Sequence, residues 1–147
     1  MLQFLAVLSC TLFTGAAIYI NVAEHPARME CGTELAATVF GPSYKRAATM
    51  QVSLALVATV TGLLSWWIEG RVMWLVGAMM MFAVIPFTLI AIMPTNRQLL
   101  DPELDRSSET TRRLLQKWGA LHAVRSVLSL AATCIFCRWL FGPNRTP

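Results

Sequence analysis

The sequence predicts an all-α integral membrane protein: an antiparallel bundle of four transmembrane helices, with both termini on the same side of the bilayer. The chain has 147 residues, of which 56% are hydrophobic and only 14% are charged, whereas soluble domains are about half apolar and about a quarter charged. The apolar residues also form four runs, each long enough to cross a hydrocarbon core ~30 Å thick as a helix of about 20 residues. By its length the chain is a single transmembrane domain, residues 1–147.

Each apolar run justifies one helix. The predicted helices cover about residues 2–22, 47–68, 72–93 and 114–141. The first three runs contain no charged residue. The first run exceeds the apolar region of a signal peptide, about 7–15 residues, and has no Lys or Arg before it, so we expect it to be retained as a span. The fourth helix begins in water and carries His122 and Arg125 within its apolar part.

The connections between the runs predict where the chain turns. Only residues 69–71 separate the second and third runs, which predicts a tight antiparallel pair. In the first connection, the Gly-Pro pair at residues 41–42 predicts a break, after which Ser43 caps the second helix. In the third connection, Ser107 or Ser108 offers an N-cap for the fourth helix.

The distribution of Lys and Arg predicts the orientation in the membrane. Eight of these residues lie on the side of the two long connections, and three lie on the other side. The first set is Arg28, Lys45, Arg46, Arg97, Arg106, Arg112, Arg113 and Lys117, and the second is Arg71, Arg138 and Arg145. Because loops rich in Lys and Arg stay in the cytoplasm, we expect a multi-pass protein with cytoplasmic long connections and with both termini lumenal or external. The sequence has no stripe of basic residues with interleaved aromatic residues, the pattern that would suggest nucleic-acid binding.

Every predicted span has polar residues near the same face of the membrane. They are Asn21, Glu24 and His25 at the end of the first helix, Gln51 in the second, Asn96 after the third, and His122 and Arg125 in the fourth. His122 and Arg125 are three residues apart and therefore share a helix face. Because the first helix leaves the membrane where the fourth enters it, the topology predicts one polar layer between the helices, where bundles hold small-molecule sites.

Two interpretations of Arg125 stay open. A charged residue inside a span usually faces the bundle interior and finds a partner, because its insertion at the centre of a helix costs ~2.5–3.5 kcal/mol. Alternatively, the long side chain of Arg125 extends to the cytoplasmic headgroups. For Asn21, Glu24 and His25 the corresponding alternative is an ordinary solvated helix end.

The polar layer has the groups that proton transfer requires. A neutral histidine accepts a proton near pH 7, and a neighbouring arginine stabilises a developing oxyanion. This chemistry suits proton abstraction from an acidic carbon of a hydrophobic phenol or ketone. A metal bound by His25, His122 and Glu24 is a second, less favoured hypothesis, because the adjacent residues Glu24 and His25 diverge by roughly 100° on a helix.

Two cysteines three residues apart, Cys134 and Cys137, lie in the fourth span. In a soluble protein with a βαβ fold, a CxxC pair is typical of a thiol redox site. Here the pair lies at the opposite end of the helix from the polar layer, and Cys31 is on the wrong side to exchange electrons with it. We expect two small packing residues, with a redox role as the alternative.

Three stretches of the chain resemble the anthrone oxygenase-like membrane family. They are Asn-Val-Ala-Glu-His-Pro at residues 21–26, the proline-containing third helix that runs into Pro-Thr-Asn at residues 94–96, and the W-x3-H-x2-R pattern of Trp118, His122 and Arg125. Proteins of this family resemble small four-helix membrane bundles with an asparagine after the third helix. The resemblance extends over nearly the whole chain.

The resemblance implies an oxygen-dependent conversion of an anthrone into an anthraquinone in polyketide biosynthesis, a branch of secondary metabolism, by a monooxygenase. It also implies that molecular oxygen is the cosubstrate and that no flavin, haem or established metal takes part. The expected partners are a hydrophobic aromatic small molecule and the lipid bilayer. Self-association into a homo-oligomer stays open.

Hypothetical roles follow for the polar layer. His122 is the expected base, Arg125 the expected partner of the substrate anion, and His25 a third catalytic candidate that tunes His122 or orients the substrate. The expected substrate-binding residues are Asn21, Glu24, Gln51, Asn96 and Trp118. The competing hypothesis is a non-enzymatic membrane protein, acting in assembly or in binding lipid or a partner, in which the layer is structural and Arg125 pairs with Glu24.

Overall fold

Four long helices make up the described part of the protein. The structure, a computed structural model, describes residues 1–141, so Arg145, which contributes to the predicted charge balance, lies outside the described residues. The helices are α1 Leu2–Glu30, α2 Thr33–Glu69, α3 Val72–Leu99 and α4 Glu109–Phe141. Each is long and apolar enough to cross a membrane. The predicted fold class is therefore confirmed: the protein is an all-helical, multi-pass membrane protein.

α1 and α3 are longer than predicted because each continues past a proline. α1 consists of an α-helix Leu2–Tyr19, a π-helical turn Ile20–Glu24 and an α-helix His25–Glu30; α3 consists of Val72–Phe87, a π-helical turn Thr88–Ile92 and Met93–Leu99. Pro26 and Pro94 each follow a π-helical turn by two residues. A proline cannot donate a hydrogen bond to the preceding turn, and its ring clashes with a carbonyl there. The wider turn just before the proline lets the helix continue.

α2 begins at Thr33, far before the predicted start near residue 47, so the break predicted at residues 41–42 is wrong. Pro42 lies inside the helix at an exposed position. The turn before it contains Ala37 and Phe40, which are buried among side chains of the other helices. Tertiary packing therefore outweighs the helix-breaking tendency of the Gly-Pro pair.

Short turns join the first three helices, and a longer connection precedes α4. Gly32 (φ +100°) separates α1 from α2, and Gly70 (φ +68°) separates α2 from α3; glycine adopts both φ values without steric cost. The tight turn predicted at residues 69–71 is confirmed. A serine cap before α4 is also confirmed, because Oγ of Ser108 accepts a hydrogen bond from the N–H of Thr111 at 3.2 Å.

The four helices pack in a ring, in which each contacts the next and α4 closes against α1. Later residues of α1 contact earlier residues of α4. Sγ of Cys10 lies 3.2 Å from Oγ1 of Thr133, whereas Asn21, further along α1, binds Gly119, which is earlier in α4. These two helices therefore lie side by side with opposed directions. Which side of the membrane each terminus faces stays a prediction.

Two apolar clusters fill the bundle. The larger, near the α2–α3 turn, contains the buried aromatic residues Phe13, Trp74 and Phe136. The smaller, towards the other end, contains Phe40 and Trp118. The outer faces of all four helices are apolar, as contact with lipid requires. Exposed examples are Leu12, Val60, Ile90 and Val127.

We expect Gly77→Ala to destabilise the bundle. A Cβ at residue 77 would overlap the buried ring of Phe136, and overpacking a close-packed core costs about 1–3 kcal/mol. Gly15→Ala is the matched control, since a Cβ at that position meets nothing within 4 Å. Unfolding of the purified protein in micelles, followed during SDS titration, measures both variants. Equal stability of the two would contradict the packing at Phe136.

Candidate functional site

A cavity lies between the two apolar clusters. It contains about 830 Å³ of non-protein space, a volume that includes space open to the outside. Most of its lining is apolar. Five of the eight predicted site residues line it: Gln51, Asn96, Trp118, His122 and Arg125. The other three, in α1, make contacts beside the cavity.

Asn21 binds α4 rather than facing the cavity. Its Nδ2 donates to the backbone oxygen of Gly119 at 3.0 Å. Its Oδ1 accepts a hydrogen bond from Oγ of Ser126 at 2.7 Å and lies 2.8 Å from Nδ1 of His122. These contacts suit Asn21 to positioning His122 rather than to contacting a ligand.

Local helix geometry brings this cluster together. Gly119, His122 and Ser126 follow one another at spacings of three and four residues, so they share one face of α4. Asn21 is the second residue of the π-helical turn in α1. Such turns occur frequently at functional sites.

The orientation of the Asn21 amide determines which nitrogen of His122 carries hydrogen. A backbone carbonyl only accepts hydrogen bonds, so the amide nitrogen must face Gly119 and the amide oxygen must face His122. In the neutral ring, Nδ1 therefore carries the hydrogen and Nε2 holds the lone pair. His122 is 1% exposed and lines the cavity, and Nε2 is the ring nitrogen whose lone pair can accept a proton.

His25 is buried outside the cavity lining. The centroid of its ring is 5.2 Å from that of Trp118, and the Trp118 ring is 4.9 Å from that of His122. A Cβ at Gly119 would come within 2.7 Å of Nε2 of His25. The glycine therefore makes room for His25, and Trp118 contacts both histidines.

Arg125 lies inside the bundle. Its Nη2 donates to Oε1 of Gln51 at 2.7 Å, and its Cζ lies 5.4 Å from the centroid of the Phe13 ring. The structure thus supports the interior interpretation over extension to the headgroups.

Glu24 forms an ion pair with Arg28 of the same helix. It also accepts a hydrogen bond from Oγ of Ser43 at 3.0 Å, so Ser43 links α2 to α1 instead of capping a helix as predicted. The Glu24–Arg125 pair expected for a purely structural layer is therefore not formed.

Several buried polar atoms at the cavity have no hydrogen-bond partner within residues 1–141. They are Nε2 of Gln51, both side-chain polar atoms of Asn96, and Nε of Arg125. Gln51 is only 2% exposed and Asn96 only 1%. Because buried polar groups in native proteins are nearly always paired, these atoms suit a ligand that carries carbonyl and hydroxyl oxygens.

The alternative metal site is not assembled. Among the described residues, no three His, Cys, Asp or Glu side chains are grouped so that they could hold one metal ion. Glu24 is paired with Arg28, and Trp118 contacts both His25 and His122. The hypothetical ligand set of the two histidines and Glu24 therefore does not converge in this arrangement.

The CxxC pair lies away from the cavity. Cys134 is exposed and Cys137 is partly buried, and neither lines the cavity or forms a disulfide. Neither thiol of this pair therefore contacts the cavity.

Ser126, Phe13 and Tyr44 are among the residues of the site that were not identified from the sequence. Ser126 is one turn beyond His122 on the same face of α4, and this spacing is a signal that could have revealed it. Phe13 and Tyr44 line the cavity, but aromatic residues in a helix of this kind are ordinarily packing residues, so the sequence carries no such signal for them.

The tautomer of His122 is measurable, because the chain has only two histidines. In protein labelled with nitrogen-15 histidine, we expect NMR to place the hydrogen of neutral His122 on Nδ1, since Asn21 accepts from that atom. Asn21→Leu removes the acceptor and should shift the ring towards the Nε2–H form, while His25→Gln assigns the two signals. A wild-type His122 in the Nε2–H form would contradict the hydrogen-bond geometry.

A protein-family model described as anthrone oxygenase matches residues 40–135. The match contains all the predicted site residues that line the cavity, whereas Asn21, Glu24 and His25 precede it. No curated protein and no solved structure matches the chain significantly. Because the family model covers well over half of the sequence, including the whole of α3, the chain belongs to the anthrone oxygenase family.

Proposed function

We propose that this protein is a membrane monooxygenase that converts an anthrone into an anthraquinone with molecular oxygen. The observation that carries the proposal is the imidazole of His122, which Asn21 holds so that its basic nitrogen remains available at the wall of an apolar cavity. Family membership supports a reaction of the oxygenase type. The mostly apolar lining of the cavity supports a hydrophobic aromatic ligand.

The first step of the proposed reaction is the removal of a proton. An anthrone has a CH2 group between two aryl rings, opposite its carbonyl group. Nε2 of His122 takes one of these hydrogens as a proton, and the electron pair left on carbon delocalises onto the carbonyl oxygen. A positioned general base of this kind accelerates a reaction by about 10²–10⁴.

Arg125 and Gln51 then stabilise the oxygen anion. Nε of Arg125 and Nε2 of Gln51 are buried N–H donors without a partner in the described part of the chain. Donors that point to a developing oxyanion in a water-excluded site lower the barrier, since they need no reorganisation during the reaction. Asn96, whose amide is also unpartnered, binds a second oxygen function of the substrate.

Molecular oxygen completes the proposed reaction. It accepts electrons from the substrate anion and forms a C–O bond to the deprotonated carbon, and protonation gives a hydroperoxide. The remaining hydrogen on that carbon leaves as a proton while the O–O bond breaks with loss of hydroxide, which forms the second carbonyl group. One oxygen atom ends in the quinone and the other leaves as water. The substrate anion supplies the electrons that reduce oxygen, so the proposed reaction needs no cosubstrate other than molecular oxygen.

His122→Gln tests the assignment of the base. We expect anthraquinone formation to fall by about 10²–10⁴ in membranes that contain equal amounts of folded protein. Oxygen consumption and anthraquinone absorbance are followed after addition of an anthrone, and spontaneous oxidation in empty membranes is subtracted. His25→Gln is the control histidine and should lose far less activity, because His25 does not line the cavity.

Each result of this assay has a distinct meaning. Equal turnover by wild-type and His122→Gln membranes would remove His122 as the base. A loss of turnover in His25→Gln but not in His122→Gln would assign the role of the base to His25. Wild-type turnover no faster than in empty membranes, with the protein folded, would refute the oxygenase proposal for anthrones.

Arg125→Leu tests the stabilisation of the oxyanion. We expect kcat to fall by about 10²–10³ with a smaller change in KM, because the charge on the substrate oxygen develops mainly in the transition state. Arg46→Leu, at an exposed position of α2, is the control for loss of a positive charge. An unchanged kcat in Arg125→Leu would contradict this role.

A further inference from the structure

An aromatic cluster of Phe40, Tyr44 and Trp118 covers the cavity on the side of the α1–α2 turn. Phe40 stacks on Tyr44 with ring centroids 5.7 Å apart, and it meets Trp118 edge-on at 5.2 Å. Phe40 is 1% exposed and Trp118 is 6% exposed. These three rings therefore form part of the cavity wall.

Direct contacts hold α2 against α3 on both sides of the cavity. Gly62 lies so close to α3 that a Cβ there would be 3.0 Å from Cβ of Ala78. Towards the other end, the hydroxyl of Tyr44 lies 3.9 Å from the sulfur of Met93. Along α2, the cavity-lining residues from Ala47 to Ala55 lie between these two contacts.

Part of the cavity is open to the outside. Of the residues that line it, only Val52 on α2 and Leu89 on α3 are exposed, by 51% and 57%. Both residues lie in helices that are long and apolar enough to cross a membrane. An opening between Val52 and Leu89, termed the lateral window, would therefore face lipid rather than water.

Local structure beside Val52 and Leu89 favours an opening between them. Leu89 belongs to the π-helical turn of α3, in which the N–H of Met93 bonds to the carbonyl of Thr88, five residues before it. This turn interrupts the regular surface of α3 beside the opening. On the α2 side the lining residue one turn before Val52 is Ala48, whose small side chain leaves space.

We propose that the cavity exchanges its ligand directly with the bilayer through the lateral window between Val52 and Leu89, and that the ligand is uncharged and dissolved in lipid when it enters. The proposal goes beyond the oxidation reaction, since it applies to any apolar ligand of the cavity. Where the proposed reaction also holds, the substrate anion forms only after passage through the window, beside Arg125.

Labelling of a cysteine inside the cavity tests the lateral window without any substrate. Ala55 lines the cavity and is 1% exposed, so Ala55→Cys places a thiol there. In intact vesicles, the apolar reagent benzyl methanethiosulfonate should label residue 55 faster than its charged sulfonatoethyl analogue. Mass spectrometry of the peptide that contains residue 55 separates this label from label on the native cysteines. Ala47→Cys, also in the lining, is a second background in case Ala55→Cys does not fold.

Bulky side chains at the lateral window should slow this labelling. Val52→Trp or Leu89→Trp should lower the rate with the apolar reagent about tenfold, which corresponds to about 1.4 kcal/mol in the barrier to passage. Val60→Trp and Ile90→Trp are the matched controls. These two positions are 51% and 76% exposed on the same helices and do not line the cavity, so labelling should proceed at an unchanged rate.

Three results would overturn the lateral window. They are faster labelling by the charged reagent, an unchanged rate in both window variants, and equal slowing by the control tryptophans. Because no turnover is measured, the outcome is independent of the oxidation assay: a chain that oxidises no anthrone can still have the window, and an active oxygenase can lack it.

Discussion

The hydrogen bonds of Asn21 to α4 connect the fold of this protein to its site. One side chain joins α1 to Gly119 and Ser126 and at the same time determines which nitrogen of His122 carries hydrogen. Inside a bilayer no water can replace a lost partner, so these groups form a unit in which each depends on the others. The tautomer of His122 is therefore a consequence of how α1 packs against α4.

The charged side chains near the cavity differ in whether an opposite charge lies beside them. Glu24 is neutralised by Arg28 in the same helix, whereas Arg125 has an amide and an aromatic ring as neighbours. A buried positive charge without a carboxylate is costly, and an oxyanion beside it offsets part of that cost.

Sequence patterns located the four spans but not where the helices end. Uncharged runs of about 20 residues must be helical in lipid, and each of α1 to α4 contains one of the predicted runs. The predicted ends failed at Pro26, Pro42 and Pro94, because local propensity is a weak guide when packing favours a continued helix. Burial of Phe40 maintains the helix before Pro42, and π-helical turns precede the other two prolines.

By itself, the sequence determined the depth at which the polar residues lie. Gln51, Asn96, His122 and Arg125 were predicted to form one layer, and all four line one cavity. Only the tertiary structure decided their partners, such as Gln51 rather than Glu24 for Arg125, and the position of Asn21 behind His122. The physical reason is that depth follows from the position of a residue within its apolar run. The rotation of each helix about its axis, which selects the partners, follows from packing against neighbouring helices.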